Sequence, residues 1–576
     1  MVVSQGIVLE AANQKEVFST KVVSIPEFWK APAPGHKPKD VLRSFTYKET
    51  FLPRAFTPKE FWSPKSLDDY YEAMNRSDIG NSPFYYLLLH GWMEVFGLSD
   101  YSARAFSVVF SVLIIGLTFL FARRFFSPTT ALIASAIVAI EPVFIAYSHQ
   151  ARNYSLTFFL TLLATYFFLQ IIENKTRGRT TFLLYIGYIF AAGLSLLSHF
   201  LTISVLLAHG IYALFFLRDI KGWIRMAIAA VFALSGVTWW LIFGGGTYTL
   251  YSLNYQAGLY LWMAQTNPYN NPFGVILPAT FPNVFTKALP IFSDLIIFTN
   301  GLTDALAGKK NVIIAIATGL TLIVWFRFHD KIKVPQWLGS KLPYLLVLAS
   351  TFFYNNHKAQ FCILSVSIFA LSFIPDIHKQ VNEIQRRRLW LLYIMALVPT
   401  LFLIVMAFKS GHTYGLTQRY SGFSFPYVII ILSLLLQYYT RLKSEFQLVL
   451  FVFLAIQLYY VGLRVKELYE DRSPKYGYFL NPRTPNPYYI AAQKIKESYQ
   501  KGDTILYPAP GYTVLSEMDR SFLTYWVRDA QLTNLYFDKT AEYVQVMDTT
   551  QTDRILLKRN LQKDTLEIIN LKGRQY

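Results

Sequence analysis

The sequence predicts an all-α polytopic membrane protein, a helical bundle carrying a small α/β domain at its C-terminal end. Three observations predict it. Of 576 residues, 53% are hydrophobic and only 15% charged, against about 25% charged in ordinary soluble domains. The mean hydropathy is +0.31, and the apolar residues gather in runs of roughly 16 to 22, the length a bilayer's hydrocarbon core demands of a helix. After Gly462 these runs stop, and shorter amphipathic and alternating stretches replace them. The lone cysteine, Cys362, lies in an apolar run, which excludes a disulfide framework or a thiolate metal cluster. Lys plus Arg number 54 against 35 Asp plus Glu, a net charge of +19. In a membrane protein that excess marks cytoplasmic loops and lipid phosphates rather than nucleic acid.

Residues 1–102 are read as an extracytoplasmic first loop with interfacial helices. Its opening, "SQGIVLEAANQKEVFSTKVVSIPEFWK", has neither the basic n-region nor the apolar h-region of a signal peptide. Spanning runs follow near 103–122, 130–147, 154–173, 181–197, 200–217 and 223–243. A second set lies near 311–328, 342–355, 360–375, 389–408, 421–439 and 445–463. That makes about twelve spans by length. Basic clusters fall after alternate spans: Arg123 and Arg124; Lys175, Arg177 and Arg179; Arg218, Lys221 and Arg225. Arg327, Lys331, Lys333 and Lys341, then Lys379 and Arg386 to Arg388, then Arg441 and Lys443, continue the series. Placing every cluster in the cytoplasm obeys the positive-inside rule. The register then closes only if 244–310 is one long outer loop, with 288–306 as an interfacial helix. Both termini therefore lie outside. A basic, aromatic-rich tail does not cross a membrane unaided, so a first helix ahead of Met1 is inferred, bringing the count to about thirteen.

The bundle thus occupies 103–464, and 465–576 form a soluble extracytoplasmic α/β domain. "DRSPKYGYFLNPRTPNP" reads as a linker of turn-forming residues. "YYIAAQKIKESYQKGDTILYPAP" reads as an amphipathic helix, a Gly-Asp turn and a short strand, while "EYVQVMDTT", "DRILLKRNL" and "TLEIINLKG" read as further strands. No phosphate loop, metal-ligand spacing or paired His occurs in this domain.

Outward polar groups are the place to look for chemistry, because polar groups at a membrane face are costly unless they work. Asp68, Asp69, Glu72 and Asp78 precede Asn81-Ser82-Pro83-Phe84-Tyr85-Tyr86 and an aromatic helix holding His90 and Trp92. Arg104 then stands at the mouth of the first visible span. The bland alternative is a solvated acidic loop beside an interfacial aromatic belt. Tyr147 to Tyr154, with His149, Gln150 and Arg152, form a short outward turn. An outward Arg runs against the charge bias: it either holds an anion, most plausibly a phosphate, or snorkels at the interface. His199 ends another span on the same side, and Gln418-Arg419-Tyr420 repeats the Arg–Tyr pairing of Arg152 and Tyr154. The ionisable residues sit at span ends, except Glu141 before Pro142, which counts against a transporter.

"NSPFYYLLLHGWMEVFGLSDYSARAFSVVFSVL" resembles a stretch of the bacterial polyprenyl-phosphate-sugar-dependent glycosyltransferases, written "HPPLYYLLLHxWxxxFGxSexxxRxxS". "FARRFFSPTTALIASAIVAIEPVFIAYSHQARNYSL" resembles that family's next two helices with their "ysqEaRxYsL" turn, and "LLSHF" and "TQRYSGFSFP" resemble later motifs. The resemblance covers roughly residues 60 to 465. The family shares the type C glycosyltransferase fold with protein O-mannosyltransferases and the aminoarabinose transferase of lipid A. Its His-Pro-Pro is Asn81-Ser82-Pro83 in this chain, and the Glu of its second turn is Gln150. Its Asp-Glu pair after the first helix finds only Lys15 and Glu16.

The resemblance implies an integral-membrane glycosyltransferase in the cytoplasmic membrane, with its active site on the extracytoplasmic face. It moves a sugar from a polyprenyl-phosphate donor to a lipid, glycan or protein acceptor. Either one of Asp68, Asp69 and Glu16 serves as the base or this copy is catalytically impaired, and inversion at the anomeric carbon needs no second carboxylate. Arg152, Arg419 and Arg104 hold the donor phosphate, while Tyr85, Tyr86, His149, Tyr154, His199 and Tyr420 line the substrate. No metal or cofactor is required, and the partners are membrane lipids rather than nucleic acid. A non-catalytic lipid-glycan-binding protein, a ligase or polymerase, and a transporter are the alternatives.

Overall fold

The computed structural model describes residues 46–50 and 57–573, apart from breaks within 65–79 and 329–357 and at 175–177, 270–273, 298–308, 442–443, 474–483, 509–513, 517–523 and 549. The chain divides into two compact units. One comprises Met1–Ser99, Gly236–Trp262 and Tyr478–Tyr576; the other comprises Asp100–Ser235 and Met263–Gly477.

The second unit is helical. Among the described residues, six helices are long and apolar enough to cross a membrane: Asp100–Phe125, Tyr154–Glu173, Arg179–Ser198, Ile220–Phe243, Glu383–Ser410 and Gln418–Tyr439. The protein is a multi-pass membrane protein. A seventh candidate is the pair Pro128–Ile140 and Pro142–Ser148, bent by 54°. The bend has a local cause: Glu141 adopts an extended conformation (φ −68°, ψ 119°) before Pro142, whose ring disfavours helix at the preceding residue. These six or seven are counted over the described residues alone, whereas the twelve or thirteen expected are for the whole chain. Phe200–Phe216 and Lys310–Trp325 are shorter apolar helices, and the run at 342–355 lies outside the described residues. The loop at 244–310 holds more structure than expected, with helices at Gly246–Thr266 and Phe281–Ile297.

Side-chain bonds define two ends of this unit. At one end Arg388 forks onto both carboxylate oxygens of Glu173 at 2.6 and 2.7 Å and donates to the carbonyl of Phe125, the residue after Arg123 and Arg124. The Thr130 hydroxyl donates to Gln437 Oε1 (3.0 Å) and Tyr439 Oη to the Ala370 carbonyl (2.6 Å). At the other end Asn153 Nδ2 donates to the Ser198 carbonyl, and Ser155 Oγ to that of Tyr147 (3.1 Å). Gly411 caps the Glu383–Ser410 helix in the left-handed conformation (φ 76°) that glycine adopts without strain, and its carbonyl accepts from Ala279 N–H at 2.9 Å.

Between the ends lies a buried polar network. Tyr427 Oη donates to Thr165 Oγ1 at 2.6 Å, and Thr165 passes its own proton to the Thr161 carbonyl at 2.9 Å. His209 Nε2, 3.0 Å from that hydroxyl, must then be the donor, which leaves Nδ1 to accept from Tyr188 Oη at 3.3 Å. Phe168 stacks on the imidazole at 4.3 Å. This corrects the expectation that only Glu141 breaks the rule of ionisable groups at span ends: His209 sits in the middle of the Ile203–Phe216 helix.

In the first unit the C-terminal strands form where the alternation places them. β2 (Thr504–Pro508), β4 (Val544–Asp548), β5 (Arg554–Arg559) and β6 (Asp564–Asn570) make one sheet in the order β4-β2-β5-β6. β2 and β4 are parallel, so the chain crosses between them through the Thr524–Asn534 helix. β1 (Thr46–Thr50) pairs antiparallel with β3 (Val514–Ser516). The N-terminal stretch also completes the core of this domain. Phe61, 2% exposed, clusters with Tyr488, Ile505 and Ile555. Trp62 Nε1 donates to the Asn534 carbonyl at 3.0 Å, and a Thr57–Glu60 capping box holds the short Pro58–Phe61 turn. Gly80 starts the Asn81-Ser82-Pro83 step because nothing larger fits: an added Cβ would stand 2.1 Å from Thr249 Oγ1, while Trp240 Nε1 donates to its carbonyl.

Candidate functional site

The turns bearing Arg152 and Arg419, expected to hold an anion, lie in the second unit at the end away from Arg388. The Tyr154–Glu173 helix starts just after Arg152, and Ser107 Oγ donates to the Arg152 carbonyl at 3.4 Å. Ser111 Oγ donates to Ser155 Oγ at 3.1 Å. Arg104, Ser107 and Ser111 occupy one helix face by their spacing, so Arg104 lies one turn beyond the contact with Arg152. The rings of Tyr147 and Tyr154 pack at 4.8 Å, and Tyr154 lies 6.1 Å from His199.

His199 ties the two Arg–Tyr sites together. It closes the Arg179–Ser198 helix and is 6% exposed, with Tyr420 at 5.6 Å and Phe423 at 6.4 Å. Its Nδ1 accepts from Leu201 N–H at 3.2 Å, so the ring proton belongs on Nε2, which is a donor. Burial, and secondly the nearby Arg419 guanidinium, hold its pKa down at about 4. His199 is therefore a neutral hydrogen-bond donor near pH 7. Arg419 lies over the Tyr420 ring at 4.8 Å. The turn carrying both is packed tightly: an added Cβ at Gly422 would meet the Phe158 ring at 2.1 Å.

A neutral imidazole donor with the Arg419 guanidinium near it has the chemistry to hold an anionic oxygen. His149 stands edge-on to Tyr469 at 5.5 Å. Tyr85 and Tyr86 belong to the first unit: Tyr85 is fully buried, 5.2 Å from Tyr86. Glu16, Asp68 and Asp69 lie outside the described residues. Among the described residues, no three His, Cys, Asp or Glu side chains stand together as a metal site.

Two polar residues of this end escaped the sequence reading. His412, 6% exposed, repeats the His199 device, its Nδ1 accepting from Tyr414 N–H at 3.3 Å, and burial lowers its pKa. Asp294 is fully buried and its Oδ2 accepts from Gln418 Nε2 at 2.9 Å. A signal existed for Asp294: Asp294 and Asp304 are the only carboxylates between Gly244 and Lys310.

Residues 80–241 match the sequence model of a family described as dolichyl-phosphate-mannose-protein mannosyltransferase. No curated protein matches the chain. Among solved structures, ArnT from Cupriavidus metallidurans in the apo state aligns at 13% identity, covering 78% of this chain and 74% of that one, with a TM-score of 0.30. The same protein bound to undecaprenyl phosphate aligns at 13% identity over 81% and 79%, with a TM-score of 0.31. Overlays that loose define no residue correspondence. The family-model match over residues 80–241 includes the stretch from Asn81 to Leu156 on which the resemblance was read.

Proposed function

We propose that this protein transfers a sugar from a polyprenyl-phosphate carrier to an acceptor hydroxyl on the extracytoplasmic face of the cytoplasmic membrane, with inversion. One observation carries the reading. Two tyrosines, Tyr154 and Tyr420, more than 260 residues apart, flank a single buried, neutral histidine near Arg419 at one end of the helical unit, with Arg152 two residues before Tyr154. Phosphate is a good leaving group and needs positive charge more than a proton donor.

In the proposed step the acceptor oxygen bonds to the anomeric carbon as the bond from that carbon to the phosphate oxygen breaks. The acceptor proton passes to Asp68, Asp69 or Glu16. The phosphate leaves with the prenyl chain, its charge met by Arg152 and Arg419 with Arg104 beyond, while His199 Nε2–H donates to one oxygen. Only one carboxylate takes part, as inversion requires.

The test is sugar transfer and donor binding by the purified full chain. Arg152→Ala and Arg419→Ala are expected to weaken donor binding and to lower transfer by about 10²–10³, the cost of removing one donor to developing negative charge. Lysine at either position recovers little where the contact is bidentate. Among Asp68→Asn, Asp69→Asn and Glu16→Gln, one abolishes transfer while donor still binds. Wild type that binds donor yet transfers nothing would convert the protein into a binding module.

A further inference from the structure

Asp294 is a carboxylate no part of the proposed chemistry uses, buried to 0% exposure and the one acidic residue of the Phe281–Ile297 helix. The Phe281–Ile297 helix buries one stripe, Val284, Ala288, Ile291 and Leu295, and leaves Phe281 and Phe285 exposed. Val284 and Ile291 pack with Leu403, Ala407 and Leu416, and these apolar contacts dock the helix. Burying a carboxyl group is costly unless hydrogen bonds hold it. Asp294 makes such a bond to Gln418, 7% exposed and next in sequence to Arg419. The carbonyl of Gln418 in turn accepts from Ser421 Oγ at 2.8 Å, closing the turn that presents Arg419 and Tyr420.

The same outer segment grips this region at a second point. Thr413 N–H donates to the Leu277 carbonyl at 3.0 Å, and Leu277 N–H to Thr413 Oγ1 at 3.0 Å. Pro278 and His412 form a bridge between them. The stretch before the helix and the helix itself therefore brace the two sides of the 411–421 turn.

We propose that Asp294 is a positioning residue: through Gln418 it sets the turn bearing Arg419, so that the seating of the outer segment 276–297 governs affinity for the lipid phosphate. The proposal rests on the reading of Arg419 as a phosphate ligand. It differs from a purely structural role in one respect: its effect must pass through Arg419.

The experiment is a double-mutant cycle on the full chain in lipid nanodiscs, with undecaprenyl phosphate as the probe ligand and thermal midpoint read alongside. Asp294→Ala is expected to weaken probe binding by about tenfold in the wild-type background and by less than about twofold in Arg419→Ala. The KM for acceptor stays unchanged. Asp294→Asn keeps the shape and an acceptor oxygen, and it is read in place of the alanine variant if that fails to fold; an intermediate loss is expected. A lowered midpoint with unchanged probe affinity overturns the proposal, as does an equal loss in both backgrounds. If Arg419→Ala itself binds the probe like wild type, the phosphate role of Arg419 falls first and the positioning role with it. That outcome is distinct from the other two.

Discussion

His199 is a group whose charge state the site depends on. A histidine held at about 4, well below its usual 6.5, stays neutral across the physiological range, so donor binding shows no His199 step between pH 5 and 8. Stability responds differently. Below pH 6.5 the unfolded chain takes up a proton that the native ring refuses, so stability falls as pH drops and the loss is complete below about 4. That difference amounts to roughly 3 kcal/mol. Thermal midpoints of wild type and His199→Gln at pH 7 and pH 5 check the sign: the wild type loses more on acidification. Equal losses would mean that the ring is solvated. His209 is held differently, by Thr165 on one nitrogen and Tyr188 on the other, which satisfies both polar atoms in a region without water.

At the scale of elements, the Pro58–Phe61 turn behaves as part of the C-terminal domain. Lys59 N–H donates to the Ala541 carbonyl at 2.9 Å, Trp62 reaches Asn534, and Phe61 fills the core beneath the sheet. Phe61→Ala removes a fully buried ring and is expected to destabilise the domain by about 3–5 kcal/mol. Limited proteolysis reads this directly, with cleavage between β2 and β6 appearing at lower temperature than in wild type. The Lys59–Glu542 pair is exposed on both sides and adds little, so Lys59→Ala serves as the control. Unchanged protease resistance in Phe61→Ala would show the turn to be a passive loop. The bend at Glu141–Pro142 follows from proline at any such position, and Ser127, whose Oγ accepts from Thr130 N–H, starts the helix before it.

For the molecule as a whole, the two ends of the helical unit are chemically distinct. One carries Arg123, Arg124 and the Arg388–Glu173 fork; the other carries Arg152, His199 and Arg419. With the cytoplasm at the basic end, reporters inserted between Asn174 and Gly178 and at Gly415 are expected on opposite sides of the membrane. Finding both on one side would break the register of the spans between them.

Much of the fold was legible in order along the chain. Apolar runs of bilayer length, basic residues at alternate ends, and the alternation in "EYVQVMDTT" and "TLEIINLKG" are local, and local periodicity is what sequence displays. Arg152 and Arg419 stand out in the sequence because the charge bias does not account for them. Long-range pairings were not legible. Nothing near Phe61 signals that it seats under a sheet over 440 residues away, and nothing near Asp294 signals Gln418. His209 reads as one polar residue in an apolar run until three other helices supply Thr165, Tyr188 and Tyr427. The sequence by itself determined which segments are apolar, where they stop and which ends are basic. Only the tertiary structure decided which buried polar groups find partners, since a hydrogen bond is won between elements that sequence keeps apart.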